Sequence, residues 1–259
     1  MKRKENKPKI HIASCSFGKD SIATILLALE HNEPLDRVVF AEVMFDHEKG
    51  ISGEIPEHID WIYNVAIPKL AEMGVKVDVV RAKKDFVSLC RRKRKSGDNA
   101  GKMYGMRSSG FCYANGELKV APVKQYYTQF RDEYNIVQYV GIAKDEPIRL
   151  ARLKDYQVSL LEKYNFTEKM AMDKCREYNL VSPCYSMGLR GGCWFCYNAE
   201  LRRYINMRKN YAKEWQALRD LYNETNCKAF KYGKTLEQVE REMDIKEWEE
   251  QQPTLFDFI

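Results

Sequence analysis

A chain of 259 residues, 44% hydrophobic and 31% charged, has the composition of a soluble globular protein with one substantial core and room for a smaller appended domain. No apolar run nears the roughly eighteen residues of a membrane helix, and Met1–Pro8 is charged with no apolar stretch of a secretory signal, so a cytoplasmic location and no membrane partner are expected. The net charge of +6 is uneven: Arg81–Arg107 carries ten Lys and Arg against Asp85 and Asp98, which leaves the rest of the chain near −2 and confines any preference for polyanions to that segment.

Ile10–Ala13 reads as a short strand with apolar alternation, and Ile22, Ile25, Leu26 and Leu29 recur at helical spacing. Between them lies the junction Ser16-Phe17-Gly18-Lys19-Asp20-Ser21. Val38–Phe45 reads as a second strand, buried on both faces. A long amphipathic helix follows over Pro56–Met73, then a strand over Val75–Val80. The cationic run Arg91–Lys95 leads into a glycine-bearing, mobile loop between Ser96 and Gly110. Ile136–Ile142 is a further strand, ahead of helices that begin near Glu146 and Glu168. From about Ser182 the character changes to cysteine-rich loop and then helix, ending in an acidic helix near Leu236–Glu250. Strands alternating with helices predict an α/β fold with a doubly wound parallel sheet. Ligands of such sheets sit beyond the carboxyl ends of the strands, where residues 16–21 fall.

Small and hydroxyl residues at a strand-to-helix turn leave backbone N–H groups free at a helix N-terminus, where the dipole favours an anion. Gly18 admits close approach of a phosphate, Lys19 adds a cation, the Ser16 and Ser21 hydroxyls are donors, and Asp20 is placed to hold Mg²⁺ or to cap the helix. The stretch is too short for a Walker A loop, G-x-x-x-x-G-K-S/T. An ordinary Ser-capped helix is the plainer reading of six residues alone.

The junction resembles the S-G-G-x-D-S pyrophosphate loop of the adenine-nucleotide α-hydrolase-like (PP-loop) enzymes, in the form used by phosphoadenosine phosphosulfate (PAPS) reductase-like proteins. Phe17 stands where the first glycine of that pattern usually is. Three further stretches are similar to the same family in its order. Phe45-Asp46 with Gly53-Glu54-Ile55-Pro56-Glu57 resembles the D-T-G…P-E element near the nucleotide. Gly141–Arg149 resembles G-x-R-x-x-E-x-x-R, with Ala143 in place of the usual arginine. Cys112, Lys119 and Pro122 resemble the C…K-x-x-P region. The resemblance covers about residues 9–209 and implies a PP-loop/HUP-type domain over 1–181, carrying the basic mobile loop 91–110, then a helical cysteine-rich subdomain over 182–250 and a flexible tail over 251–259. It also implies ATP and Mg²⁺ at Ser14, Ser16, Phe17, Gly18, Lys19, Asp20, Ser21, Asp46 and Gly141, with Lys19 and Asp20 catalytic.

Cys184-x8-Cys193-x2-Cys196 is the second signal, because a C-x-x-C turn, eased by Gly191 and Gly192, lets two thiolates reach one metal or cluster. The resemblance implies Cys112, in its cysteine-bearing region, as the natural fourth ligand. Four thiolates admit a structural Zn²⁺ or an iron–sulfur cluster. The spacings resemble the sulfur-transfer component of DNA phosphorothioation systems, which implies a 4Fe–4S cluster. Trp194 and Phe195 either shield that metal or are plain core. Cys15, Cys90, Cys175 and Cys227 read as buried free thiols, and the four histidines form no ligand pair.

The resemblance implies an enzyme that adenylylates an acceptor with release of pyrophosphate and takes part in sulfur transfer to nucleic acid, supplied by a sulfur donor such as a cysteine desulfurase. A sulfonucleotide (PAPS or adenylylsulfate) reductase is the first alternative, but Thr225-Asn226-Cys227-Lys228 lacks the E-C-G-x-H nucleophile and Phe111-Cys112-Tyr113 lacks the cysteine doublet. A non-catalytic nucleotide- or nucleic-acid-binding module is the second. The basic segment 81–107 suits a nucleic-acid backbone. The tail Gln252–Phe258 is similar to sliding-clamp peptides, which favours DNA over tRNA, against a tail folded back on its own body.

Overall fold

The structure is a computed structural model that describes residues 7–108, 110–225 and 229–252. Its strands are β1 (Lys9–Cys15), β2 (Arg37–Ala41), β3 (Met44–Asp46), β4 (Ile51–Ser52), β5 (Val77–Val80), β6 (Asn135–Val140) and β7 (Gln157–Val158). The chain forms two compact units: Met1–Val43 with Glu54–Lys83 and Glu117–Gly192, and Met44–Gly53 with Lys84–Gly116 and Cys193–Ile259. The second unit is assembled from three stretches and holds Cys112, Cys193 and Cys196, whereas Cys184 falls in the first.

The first unit is an α/β fold on a five-stranded sheet in the order β5-β2-β1-β6-β7, with every pairing parallel. Side-chain alternation sorts the strand residues onto two faces. Ala13, Cys15, Val38 and Phe40 face a core made with helix α1 (Lys19–Glu30), whose residues Ser21–Ala28 are all buried. Ile10, Ile12 and Val39 face the other way, onto Tyr127 of the helix Ala121–Thr128. Helices on both faces are what doubly wound means physically. Strand order reverses between β1 and β6, so the loops after these two strands border the crevice where such sheets bind ligands.

The apolar run 38–45 is not one strand. β2 ends at Ala41, and Glu42 turns inward to only 3% exposure, where its carboxylate accepts from Arg81 Nε at 2.8 Å and Tyr63 OH at 2.6 Å. Met44–Asp46 then pairs antiparallel with Ile51–Ser52 in the second unit. The helix expected over 56–73 forms as Pro56–Trp61 and Ile67–Glu72 joined by a π-helical turn, Ile62–Ala66. Pro68 supplies no N–H to the preceding turn, and the wider π turn absorbs that gap. Near Glu146 only one helical turn forms, Pro147–Leu150, whereas Glu168–Glu177 is a full helix.

The second unit packs the helices Leu201–Asn210, Ala212–Glu224 and Leu236–Gln251 around Tyr204, Trp215 and Phe230. Trp194 and Phe195 are buried in this unit. Trp194 lies 4.6 Å from the Phe45 ring, Phe195 stacks on Phe86 at 4.0 Å, and the Trp194 indole donates to Ser52 O at 2.9 Å. Among the described residues no helix is long and apolar enough to cross a membrane.

Candidate nucleotide loop and cysteine-bearing segments

The loop after β1 is tightly built. Phe17 has φ 55°, the left-handed region where a glycine is at ease and a bulky side chain is strained by about 1–2 kcal/mol. Its ring is 1% exposed and meets Phe40 edge-on at 5.1 Å and Trp61 at 6.5 Å, so burial offsets the strain. The backbone thus makes the turn expected of a glycine while the side chain anchors the turn to the core. Ser21 Oγ accepts from Ser16 N–H at 3.2 Å and donates to Gly18 O at 2.9 Å, stitching the loop closed. Phe17 N–H donates to Cys15 Sγ at 3.2 Å, and Lys19 N–H donates to Tyr185 OH at 2.9 Å.

Lys19 Nζ is held by Asp20 Oδ1 at 2.8 Å and by Glu168 Oε2 at 2.8 Å. Burial works against the charged ammonium, but the two carboxylates outweigh it and keep its pKa above the ordinary lysine value. Burial, with Glu168 and Glu146 nearby, outweighs the shared lysine and pushes Asp20 up. Lys19 is therefore a charged, partly desolvated cation shared between two carboxylates. Glu168 and Tyr185 carry no motif and lie 149 and 166 residues from Lys19, beyond the reach of sequence reading.

Gly141 follows β6 and abuts the first turn of α1. A Cβ there would lie 2.7 Å from both Asp20 C and Ser21 N. Its role in the structure is close backbone packing that sets the start of α1. Ser14 is committed to a polar chain, 3.0 Å from Tyr127 OH and accepting from Gln138 Nε2 at 2.7 Å. Ala143 is fully buried, and Arg149 pairs with Glu146.

The 3₁₀ turn Pro183–Tyr185 brings Cys184 to this loop, since its neighbour Tyr185 touches Lys19. Behind it runs a buried relay. His58 Nε2 is 3.4 Å from Ser16 O, His58 Nδ1 is 2.7 Å from Ser182 Oγ, and Ser182 Oγ donates to Cys184 Sγ at 3.1 Å. His58 is 0% exposed and carries no motif in the sequence; only the fold brings Ser16 and Ser182 to its two nitrogens. Gly192 N–H donates to Glu54 Oε2 at 2.7 Å, fixing the chain just before Cys193.

In the second unit Cys112, Cys193 and Cys196 are half-exposed. The Tyr197 hydroxyl donates to Gly110 O, and burial first, then Cys112, pushes its pKa up. Arg203 donates to Cys193 O at 3.2 Å. Among the described residues no group of three or more His, Cys, Asp or Glu side chains is arranged to hold a metal ion. The three half-exposed thiols and buried Cys184 nevertheless have the soft donor chemistry of zinc and iron–sulfur sites. Asp46 also belongs to this unit, where its Oδ1 accepts from Lys49 N–H at 3.1 Å and closes the β3–β4 turn. Cys15 and Cys175 are inert thiols: burial pushes them up to about 11 and about 12. Cys227 and the tail beyond Gln252 lie outside the described residues.

The basic stretch is an antiparallel ribbon rather than an open loop. Lys93 bridges Met103, Arg94 N–H donates to Lys102 O at 2.9 Å, and Tyr104 N–H to Arg92 O at 2.8 Å. Arg91 forms a fork with Glu224, at 2.6 and 2.8 Å. The Arg92 and Arg94 guanidinium groups lie 4.6 and 4.8 Å from the centre of the Tyr104 ring.

No family model and no curated protein matches the chain. Among solved structures it is similar to the U34-tRNA thiolase NcsA from Methanococcus maripaludis with its 4Fe-4S cluster, at 17% identity and a TM-score of 0.41, over 86% of this chain and 74% of that one. At that identity and TM-score the likeness assigns this chain neither substrate nor cofactor.

Proposed function

We propose that this chain is a PAPS reductase-like PP-loop enzyme that binds ATP at residues 16–21 and adenylylates an acceptor on a nucleic acid in the course of sulfur transfer. The observation that carries the reading is the seating of the Cys184–Tyr185 turn on the loop that ends β1, with Lys19 poised beside Asp20. An acceptor oxygen attacks the α-phosphorus, the bond to the bridging oxygen breaks, and pyrophosphate leaves with that electron pair. Sulfur then displaces AMP from the activated carbon or phosphorus.

The chain's own part is alignment and charge stabilisation. The triphosphate displaces the Tyr185 hydroxyl from Lys19 N–H, and Lys19 turns from its carboxylates to the β- and γ-phosphates. Asp20 would hold the Mg²⁺ that accompanies ATP, which would supply charge neutralisation of the leaving pyrophosphate. Cys112, Cys184, Cys193 and Cys196 would hold a 4Fe–4S cluster, whose chemistry when bound is sulfur delivery, or alternatively a structural Zn²⁺. Segment 81–107 meets the nucleic acid. DNA is preferred to tRNA as acceptor because of the clamp-like tail, and a cysteine desulfurase would supply sulfur.

Pyrophosphate release, assayed anaerobically with DNA, tRNA and sulfonucleotides, tests the proposal. Release with ATP and one nucleic acid supports it, whereas sulfite release with thioredoxin would establish the reductase instead. Anaerobically purified protein should be brown, absorbing near roughly 400 nm. Colourless protein with stoichiometric zinc rules the cluster out.

One observation favours a second reading, a nucleotide-binding module without turnover: Lys19 N–H and Nζ are both already occupied within the chain. It predicts ATP binding with no pyrophosphate release under any acceptor.

A further inference from the structure

We infer that the basic ribbon of the second unit contains a pocket for a single unstacked nucleotide of a nucleic-acid strand, with the base laid against Tyr104 and the phosphate met by Lys93, Arg94 and Lys102. The inference rests on the nucleic-acid reading of segment 81–107 and goes beyond it, because tracking a duplex backbone needs surface cations but neither a cavity nor an exposed aromatic ring.

The ribbon borders a half-open cavity of about 560 Å³, whose lining includes Lys93, Arg94, Lys102, Met103 and Tyr104 and is completed by Glu224, Thr225 and Ala229. That volume lies within the roughly 300–1,000 Å³ of small-ligand sites. A second cavity of about 240 Å³ shares Arg94, Tyr104, Met106 and Ser108 with the first and adds Arg107. Tyr104 thus borders both spaces and is 40% exposed, and a stacked base takes the place of one of the two guanidinium groups that lie over its ring.

The composition of the wall selects the ligand. Glu224 is the one carboxylate in the lining of the larger cavity, and its two oxygens are taken by Arg91. The remaining charge in that wall is positive, from Lys93, Arg94 and Lys102. Met103 and Met106 give an apolar floor that a bare phosphate or an acidic peptide would leave unused. A planar, apolar-faced group carrying an anion matches both halves, and a nucleotide is such a group. Its base stacks on an aromatic face, and Arg94 adds a cation to the stack. A base paired in a duplex presents no face, so the strand must be single or the nucleotide turned out.

The test is fluorescence anisotropy of the full chain with a labelled single-stranded oligonucleotide, the matching duplex, the same strand with abasic sites, and a competing nucleoside monophosphate. The single strand is expected to bind at least tenfold more tightly than the duplex or the abasic strand. Tyr104→Leu, which keeps apolar bulk in the ribbon, should weaken the single strand by roughly ten- to a hundredfold, with Tyr104→Phe near wild type. Arg94→Gln should lower the salt dependence of binding by about one unit of slope.

Strand and duplex weakened equally by Tyr104→Leu, or neither changed, would overturn the pocket while the nucleic-acid reading stands. A monophosphate that binds as tightly as the strand would make this a free-nucleotide site and overturn the polymer. No binding to any nucleic acid would overturn the pocket together with the reading beneath it.

Discussion

Replacing Gly141 by alanine would put a methyl carbon 2.7 Å from Asp20 C and Ser21 N and 2.9 Å from Asp20 O. These are backbone atoms at the start of α1, so no side chain can swing away. To restore an ordinary contact, the end of β6 and the first turn of α1 must part by about 0.7 Å. Overpacking of this kind costs about 1–3 kcal/mol. For a domain of this size that lowers the melting temperature by about 2–12 °C. The same movement displaces the Lys19 and Asp20 backbone that the triphosphate is proposed to meet, and misplacement approaching 1 Å at a reacting centre costs up to about a hundredfold in rate. Melting followed by circular dichroism, alongside pyrophosphate release at saturating ATP, separates the two effects. Release reduced at least tenfold at a temperature where the variant is fully folded is the expected result. Wild-type melting together with wild-type release would refute the close-packing argument for Gly141.

Phe17→Gly relieves the left-handed backbone but removes a ring buried on Phe40 and Trp61, so a net loss of about 2–4 kcal/mol in urea unfolding is expected; a stabilised variant would show that the ring contributes little. Asp85 caps the helix Phe86–Arg91, accepting from Ser88 N–H at 2.7 Å and from His47 N–H at 2.8 Å. Despite burial, which acts upward, those donors hold its pKa below 3.8. Its contribution is therefore present in full above about pH 5 and is lost as pH falls through 3.8 to the lower folded value. Asp85→Ala should cost about 2–4 kcal/mol at pH 7 and visibly less at pH 3. An equal cost at both would remove the charged cap from the account.

Local signals in the sequence carried the centre of the fold. Alternation in Ile10–Ala13 and helical spacing in Ile22–Leu29 are properties of neighbouring residues, and β1, its loop and α1 form where they point. The same apolarity misled at 38–45, because a continuous run does not show that a buried Glu42, satisfied by Arg81 and Tyr63, ends one strand and sends the next into another unit. The site divides in the same way. Ser16, Gly18, Lys19 and Ser21 were legible as a loop. Glu168, Tyr185 and His58 were not, since their meaning is a partner brought from far along the chain. Cation density marked Arg91–Lys95, while the pairing of Lys93 with Met103 that turns the segment into a ribbon depends on a register no composition reports.

The most direct test of the central claim is anaerobic pyrophosphate release by the wild type and by Lys19→Ala, each with ATP, Mg²⁺ and nucleic acid. ATP-dependent release that nucleic acid stimulates, and that falls at least a hundredfold in the variant while its melting curve is kept, is the predicted result. Equal release by both proteins, or a wild type that does not bind ATP, would contradict it.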